Sequence, residues 1–295
     1  MDYILSNIGG FMEENICDEK NKKFIITMSY PQYERIISFL YSQKPATEIE
    51  QSFSLFKISI YNEKFEHVQE ADIYTGIGTG IDDNFHSVIQ ATDQHITLHT
   101  LNVLSMVEYI SYHYDNSDRR YLCYPLLFNA ESKNASHQTT VVIDIINNKA
   151  YLVDPNGSLS YFNNMFSASI ANQNKTKYND KEKNYSSYSE LEHNFNHLID
   201  GLMDGYFKEF KKIGINIDYV PHSQWNPNNI QLNDTGDSSE IGHGFCVATS
   251  ILFGHFLCLT KLDINDAINK FKCITSNERL YLINGYSCWL YQTFK

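Results

Sequence analysis

The chain has 295 residues, 42% hydrophobic and 20% charged, enough apolar surface for one large domain or two small ones and too much for a wholly disordered chain. Its formal net charge of -12 argues against a binder of phosphate backbones, whose affinity rests on Lys and Arg, and leaves no clear nucleic-acid patch to expect; it suits a basic substrate or partner. The N-terminal stretch lacks a basic start followed by an apolar core, and no window approaches about eighteen uninterrupted apolar residues, so neither a signal peptide nor a membrane segment is expected, and the reading is cytoplasmic or intracellular.

In chain order, SYPQYERIISFLYSQ (Ser29 to Gln43) reads as a helix, with Ser29 and Pro31 at its start and Tyr33, Ile36, Ile37 and Leu40 on its apolar side. FSLFKISIY and DIYTGIG read as strands, and GIGTGIDD as a loop, since it lacks the spacing of a phosphate-binding motif. Residues 1–94 are therefore expected to form an N-terminal α/β extension or lobe. From His95, HITLHTLNVLSMVEYISYHY places Ile96, Leu101, Leu104, Val107 and Ile110 toward one side and predicts a helix. YLCYPLLFN (Tyr121 to Asn129) predicts a buried strand, and HQTTVVIDIINNKAYLVDPNG a hairpin turning at Asn147 and Asn148, residues tolerant of positive φ. Residues 163–187 are rich in Lys, Asn and Ser and read as an exposed insertion.

SELEHNFNHLIDGLMDGYFKEFKK is the strongest amphipathic helix, with Leu191, Phe195, Leu198, Ile199, Leu202, Tyr206 and Phe210 at three- and four-residue spacings. His193 and His197 beside Glu192 have the spacing of metal ligands but not the HExxH order, so they read as the polar edge of that helix. INIDYVPHSQW predicts a short strand, and GHGFCVATSILFGHFLCL a helix buried on nearly all sides beginning at Cys246. The six cysteines form no CxxC pair, so reduced thiols are expected, with no metal site and no cofactor.

Cys246 stands apart among them. A cysteine in the first turn of a helix meets the positive end of the helix dipole and unpaired N–H groups, which favour thiolate and can receive an oxyanion. Cys258, further along the same helix, reads as a buried structural thiol. A thiolate nucleophile needs a base, and the base needs a partner to hold its tautomer. The hairpin supplies both: His137 precedes one strand and Asp154 follows its antiparallel return, at the same edge of the sheet. Each residue also has a bland reading, as turn or surface punctuation, and it is their joint occurrence with Cys246 that points to chemistry.

HQTTVVIDIINNKAYLVDPNG, followed downstream by VPHSQWNPNNIQ and GHGFCVATSILFGHFL, resembles the ubiquitin-like-protease superfamily of cysteine peptidases (clan CE). Its members include deSUMOylating enzymes, the adenovirus maturation protease and polyprotein peptidases of large DNA viruses. The order His, Asp, Cys and the 17-position interval from His137 to Asp154 match that family. The resemblance covers roughly residues 121–265. It implies an α+β, papain-like or adenain-like core in residues 95–295, with a mixed, mostly antiparallel sheet packed on a central helix that begins at the nucleophile. It also implies a thiol peptidase or isopeptidase acting on a protein substrate, a viral polyprotein or a ubiquitin-like conjugate, with a glutamine donating to the oxyanion. Gln231 is favoured for that role and Gln224 is second; Glu240 holds the position where many members carry the glutamine, but a carboxylate cannot donate. Two departures stand out: Gln138 follows the histidine where the family commonly has Trp, and Phe245-Cys246-Val247 replaces Asp-Cys-Gly. Two other functions fit the pattern less well. One is an acetyltransferase of the same superfamily using the cysteine as acyl carrier, for which no Lys/Arg cluster is evident; the other is a binding module with a degenerate site.

Overall fold

A computed structural model of the chain describes residues 23–28, 53–61, 67–75, 86–91, 96–101, 110–111, 120–130, 135–155, 188–225 and 245–294. The expected helix at Ser29 to Gln43 and the polar insertion at 163–187 lie outside them. The described strands are β1 (Lys23–Met28), β2 (Phe53–Tyr61), β3 (His67–Thr75), β4 (His86–Ala91), β5 (Ile96–Leu101), β6 (Tyr121–Ala130), β7 (Ala135–Asp144), β8 (Lys149–Val153) and β9 (Asp218–Val220). The described helices are α1 (Tyr188–Lys212), α2 (His222–Trp225), α3 (Phe245–Thr260), α4 (Ile264–Lys272) and α5 (Ser276–Phe294).

The fold is α+β. β1, β2 and β3 form an antiparallel sheet in that order, and a six-stranded mixed sheet runs β5-β4-β6-β7-β8-β9. In the larger sheet β4 is parallel to β6 and β8 to β9, while the other neighbours are antiparallel. The boundary expected between residues 94 and 95 falls between β4 and β5, which are neighbours in this sheet.

Alternation along β6 shows why its sequence is apolar without a break. Tyr121 and Cys123 point to one core with Val142, Tyr151 and Val153, while Leu122, Tyr124, Leu126 and Phe128 point to a second with Val141, Ile143 and Leu152. The second core is closed by Ile199, Met203, Phe207 and Phe210 of α1; Ile199 and Phe210 belong to the expected stripe, Met203 and Phe207 do not, and Leu198, Leu202 and Tyr206 of that stripe are only partly buried at its edge. The first is closed by α3, whose residues from Val247 to Cys258 are all buried. A helix in contact with β6 and β7 on one side, and with β1 and α5 elsewhere, has no polar face to offer, which is why its sequence is apolar all round.

Four expectations need correction. His137, expected just ahead of its strand, lies inside β7, which begins at Ala135. Residues Ile96–Leu101 form a strand and not the start of a helix, antiparallel to β4 from Ala91↔Ile96 to His86↔Leu101. In ITLHTL, Ile96, Leu98 and Thr100 alternate with Thr97, His99 and Leu101, and β-branched residues with a ready strand partner favour the pleated form over the helical period. Helix α3 begins at Phe245, which leaves Cys246 inside its first turn. Cys123, Cys246, Cys258 and Cys273 carry free thiols, but Cys288 is disulfide-bonded, contrary to a uniformly reduced set. Among the described residues no helix is long and apolar enough to cross a membrane.

The β7–β8 turn is tied down by Asp144. Its carboxylate accepts from Arg120 Nη2 at 2.8 Å, from Asn147 Nδ2 at 2.8 Å and from the Asn147 main-chain N–H at 3.2 Å. Asn148 takes the positive φ of 55° that the turn requires. Arg120 Nη1 in turn donates to the Lys261 carbonyl at 2.8 Å, just past the end of α3, so one guanidinium joins the hairpin to the central helix. Asp144→Ala is expected to cost about 2–3 kcal/mol, less than at a fully buried pair because Arg120 keeps some water contact. Equilibrium urea unfolding measures it, and an unchanged midpoint would show that this carboxylate does not hold the hairpin.

Candidate active site

β8 is shorter than its neighbour. It pairs with Thr140 to Asp144 only, whereas β7 continues back to Ala135 alongside β6. Because Thr140 lies opposite Val153, Asp154 comes level with Thr139, diagonal to His137 on the same face of the sheet. The result is a contact between His137 Nε2 and Asp154 Oδ1 at 2.7 Å, with the two residues 5% and 0% exposed. An ionised carboxylate only accepts, so Nε2–H donates and Nδ1 is the nitrogen left for another partner.

Cys246 meets the same ring. Its thiol is hydrogen-bonded to the His137 ring, and the main-chain N–H groups of Gln138 and Val247 also donate to the sulfur. Where β8 has ended, no described strand covers the outer edge of Ala135 to Thr139, and the first turn of α3 takes up the Gln138 N–H there. The structure thus brings His137, Asp154 and Cys246 together. Cys246 is half-buried, whereas Cys258 is buried with its sulfur 3.8 Å from the Tyr121 carbonyl.

The electrostatics follow from the contacts. Burial alone would drive the His137 pKa down, but the Asp154 carboxylate and the Cys246 sulfur more than offset it and push it up to about 10. Burial alone would raise the Cys246 thiol; hydrogen bonding and charge from His137, with the N–H groups of Gln138 and Val247, bring it below its ordinary value. Both shifts favour a thiolate–imidazolium pair.

The proposed oxyanion glutamines fare differently. Gln224 lies in α2 and is exposed, while Gln231 and Glu240 fall outside the described residues. His197 is exposed on α1, and among the described residues no group of three His, Cys, Asp or Glu side chains is placed to hold a metal.

Two residues gain weight from the structure alone. His222 is fully buried, and its main-chain N–H donates to Asp200 Oδ1 at 2.6 Å, an oxygen that also accepts from Tyr219 OH at 2.9 Å. Burial depresses its pKa, against the opposing charges of Asp154 and Asp200, so it is a neutral imidazole close to the Asp154 carboxylate. Only its place ahead of the loop leading to Cys246 marks it in the sequence. Gln138 is fully buried, and among the described residues neither polar atom of its side chain has a hydrogen-bond partner.

No family model, curated protein or solved structure matches the chain. Its chemistry must be argued from this geometry. A polarised thiol, a base on its tautomer-fixing carboxylate and helix N–H groups at the sulfur together suit nucleophilic attack on a carbonyl carbon.

The directions of the two shifts define a pH window. Thiolate is lost as pH falls through the depressed Cys246 value, and the imidazolium needed to protonate a leaving group is lost as pH rises through about 10. Alkylation of Cys246 by iodoacetamide should therefore persist well below the range of a free thiol, about 8.5. Asp154→Asn withdraws the charge that keeps His137 protonated and should lower the alkylation rate at about pH 6 roughly tenfold or more. Identical pH profiles for the two proteins would refute the ion pair.

Proposed function

We propose that the chain is a thiol peptidase or isopeptidase of the ubiquitin-like-protease type, with a papain-like core formed by the six-stranded sheet and α3. The observation that carries this reading is the series Cys246, His137, Asp154: the Asp154 carboxylate bonds one ring nitrogen at 2.7 Å, and the Cys246 thiol is hydrogen-bonded to the same ring. It has the chain order of the family that the hairpin and the Cys246 helix resemble. A structural cysteine needs no such neighbours, and a complete series weighs against a degenerate binding module.

In the proposed reaction the Cys246 thiolate attacks the scissile carbonyl carbon, forming a C–S bond while the carbonyl π electrons move to oxygen. The N–H groups in the first turn of α3 face that oxygen. The imidazolium of His137 protonates the leaving amine as the C–N bond breaks, which leaves a thioester. Water then attacks the thioester, His137 takes its proton, and the acid product departs with the thiol restored. Asp154 holds the imidazole in one tautomer and stabilises its charged form throughout. The substrate is a protein, a polyprotein or a ubiquitin-like conjugate on the family resemblance, cleaved after small residues such as Gly.

A Gly-Gly-terminated peptide carrying a thiol-reactive group tests the assignment. Wild-type protein should be labelled at Cys246, Cys246→Ala should not be labelled, and His137→Ala should be labelled about 100-fold or more slowly. Retained labelling and cleavage by Cys246→Ala would sink the assignment.

A further inference from the structure

Gln138 directly follows the proposed general base, at the position the family commonly fills with Trp. It is 0% exposed, and neither the oxygen nor the nitrogen of its carboxamide is bonded to any described residue. Alternation along β7 says where it lies. Val141 and Ile143 belong to the core closed by α1 and Val142 to the core closed by α3, so His137 falls on the α1 face and Gln138 on the α3 face. The Gln138 main-chain N–H donates to the Cys246 sulfur, so the root of this side chain sits beside the nucleophile. His137 and Gln138 therefore flank Cys246 from opposite faces of one strand.

A primary amide buried without partners destabilises a fold relative to Leu or Met of similar volume. Such a group calls for an explanation, and a partner that arrives with the ligand is one. The chemistry of the group narrows which partner. A carboxamide donates through its NH2, does not titrate, and cannot act as a base, which suits it to receiving negative charge on oxygen. Gln is also unbranched, so its torsions let the amide swing from beneath α3 toward the sulfur. The first-turn N–H groups of α3 approach the same place from the helix side.

We infer that Gln138 is an oxyanion donor, its Nε2–H bonding the oxygen of the attacked carbonyl beside the N–H groups of α3. This rests on the peptidase reading above and adds a catalytic residue that the resemblance assigns to no such role. It gives the site a side-chain donor within the same hairpin that carries the base and its carboxylate.

The test separates attack on a carbonyl from attack on a saturated carbon. p-Nitrophenyl acetate acetylates a thiolate through a tetrahedral oxyanion: the C–S bond forms, and p-nitrophenolate leaves with the electron pair of the broken C–O bond. Iodoacetamide alkylates the same thiolate with loss of iodide and no oxyanion. For Gln138→Met, acetylation of Cys246, followed by nitrophenolate release and intact mass, should slow roughly 100- to 1,000-fold. Alkylation at the same pH should be unchanged, and the melting temperature equal or higher. Gln138→Glu should also fail to restore acetylation, because a carboxylate offers no donor. The inference is overturned if Gln138→Met is acetylated as fast as wild type, or if alkylation falls in step with acetylation, the mark of a structural role. Wild-type Cys246 that resists both reagents would sink the peptidase reading itself and this inference with it.

Discussion

The site depends on one register. Thr140 opposite Val153 puts Asp154 within 2.7 Å of His137, and the pleat allows no nearby alternative. A slip of one residue would turn His137 toward α3 and Gln138 toward α1, reversing the two residues that flank the sulfur. The turn at Asn147 and Asn148, the Asp144 carboxylate that grips it and the apolar alternation on both faces all act to prevent that slip. The same alternation that builds two cores thus builds the candidate site, and structural stability and site geometry share their determinants.

Placing an ion pair in this location has a cost. Burial opposes the charged forms of both His137 and Cys246, and it is the largest influence on each. What reverses the balance is short range: a carboxylate on one side of the ring, a sulfur on the other, and two main-chain N–H groups at the sulfur. The Val247 N–H is available because it lies in the first turn of α3, and the Gln138 N–H because β8 stops early, so that it meets a thiol where another strand would have claimed it. Truncation of a strand thus shapes the candidate site.

Much of this was legible in the sequence, for identifiable reasons. Strands buried on both faces and a helix buried all round leave unbroken apolar runs, so β6 could be read from Tyr121 and α3 from Cys246, one residue late; α1 announced itself by its stripe from Leu191 to Phe210. His137 and Asp154 could be paired because a hairpin is local, and its two ends are joined by a predictable turn. The misreading of Ile96 to Leu101 came from the opposite situation. Its apolar residues satisfy both periods over so short a stretch, and the partner that decides, β4, is not recognisable as such beforehand. His222 was hidden for a related reason: its significance lies in proximity to Asp154 and Asp200, and no local pattern encodes that meeting.

His222 also bears on how the site keeps its charges apart. Asp200 is engaged by Tyr219 OH and by the His222 main-chain N–H, so the fold answers that carboxylate with neutral donors. Burial holds the His222 imidazole neutral as well, although Asp154 and Asp200 both favour its proton. A cation there would draw on the field of Asp154 and weaken its hold on the proton of His137. A neutral imidazole leaves that field directed at His137, the one histidine whose proton the proposed reaction uses. Two buried histidines near one carboxylate are therefore shifted in opposite directions, and the difference among the described residues is contact: His137 bonds Asp154 directly, while His222 feels only its charge.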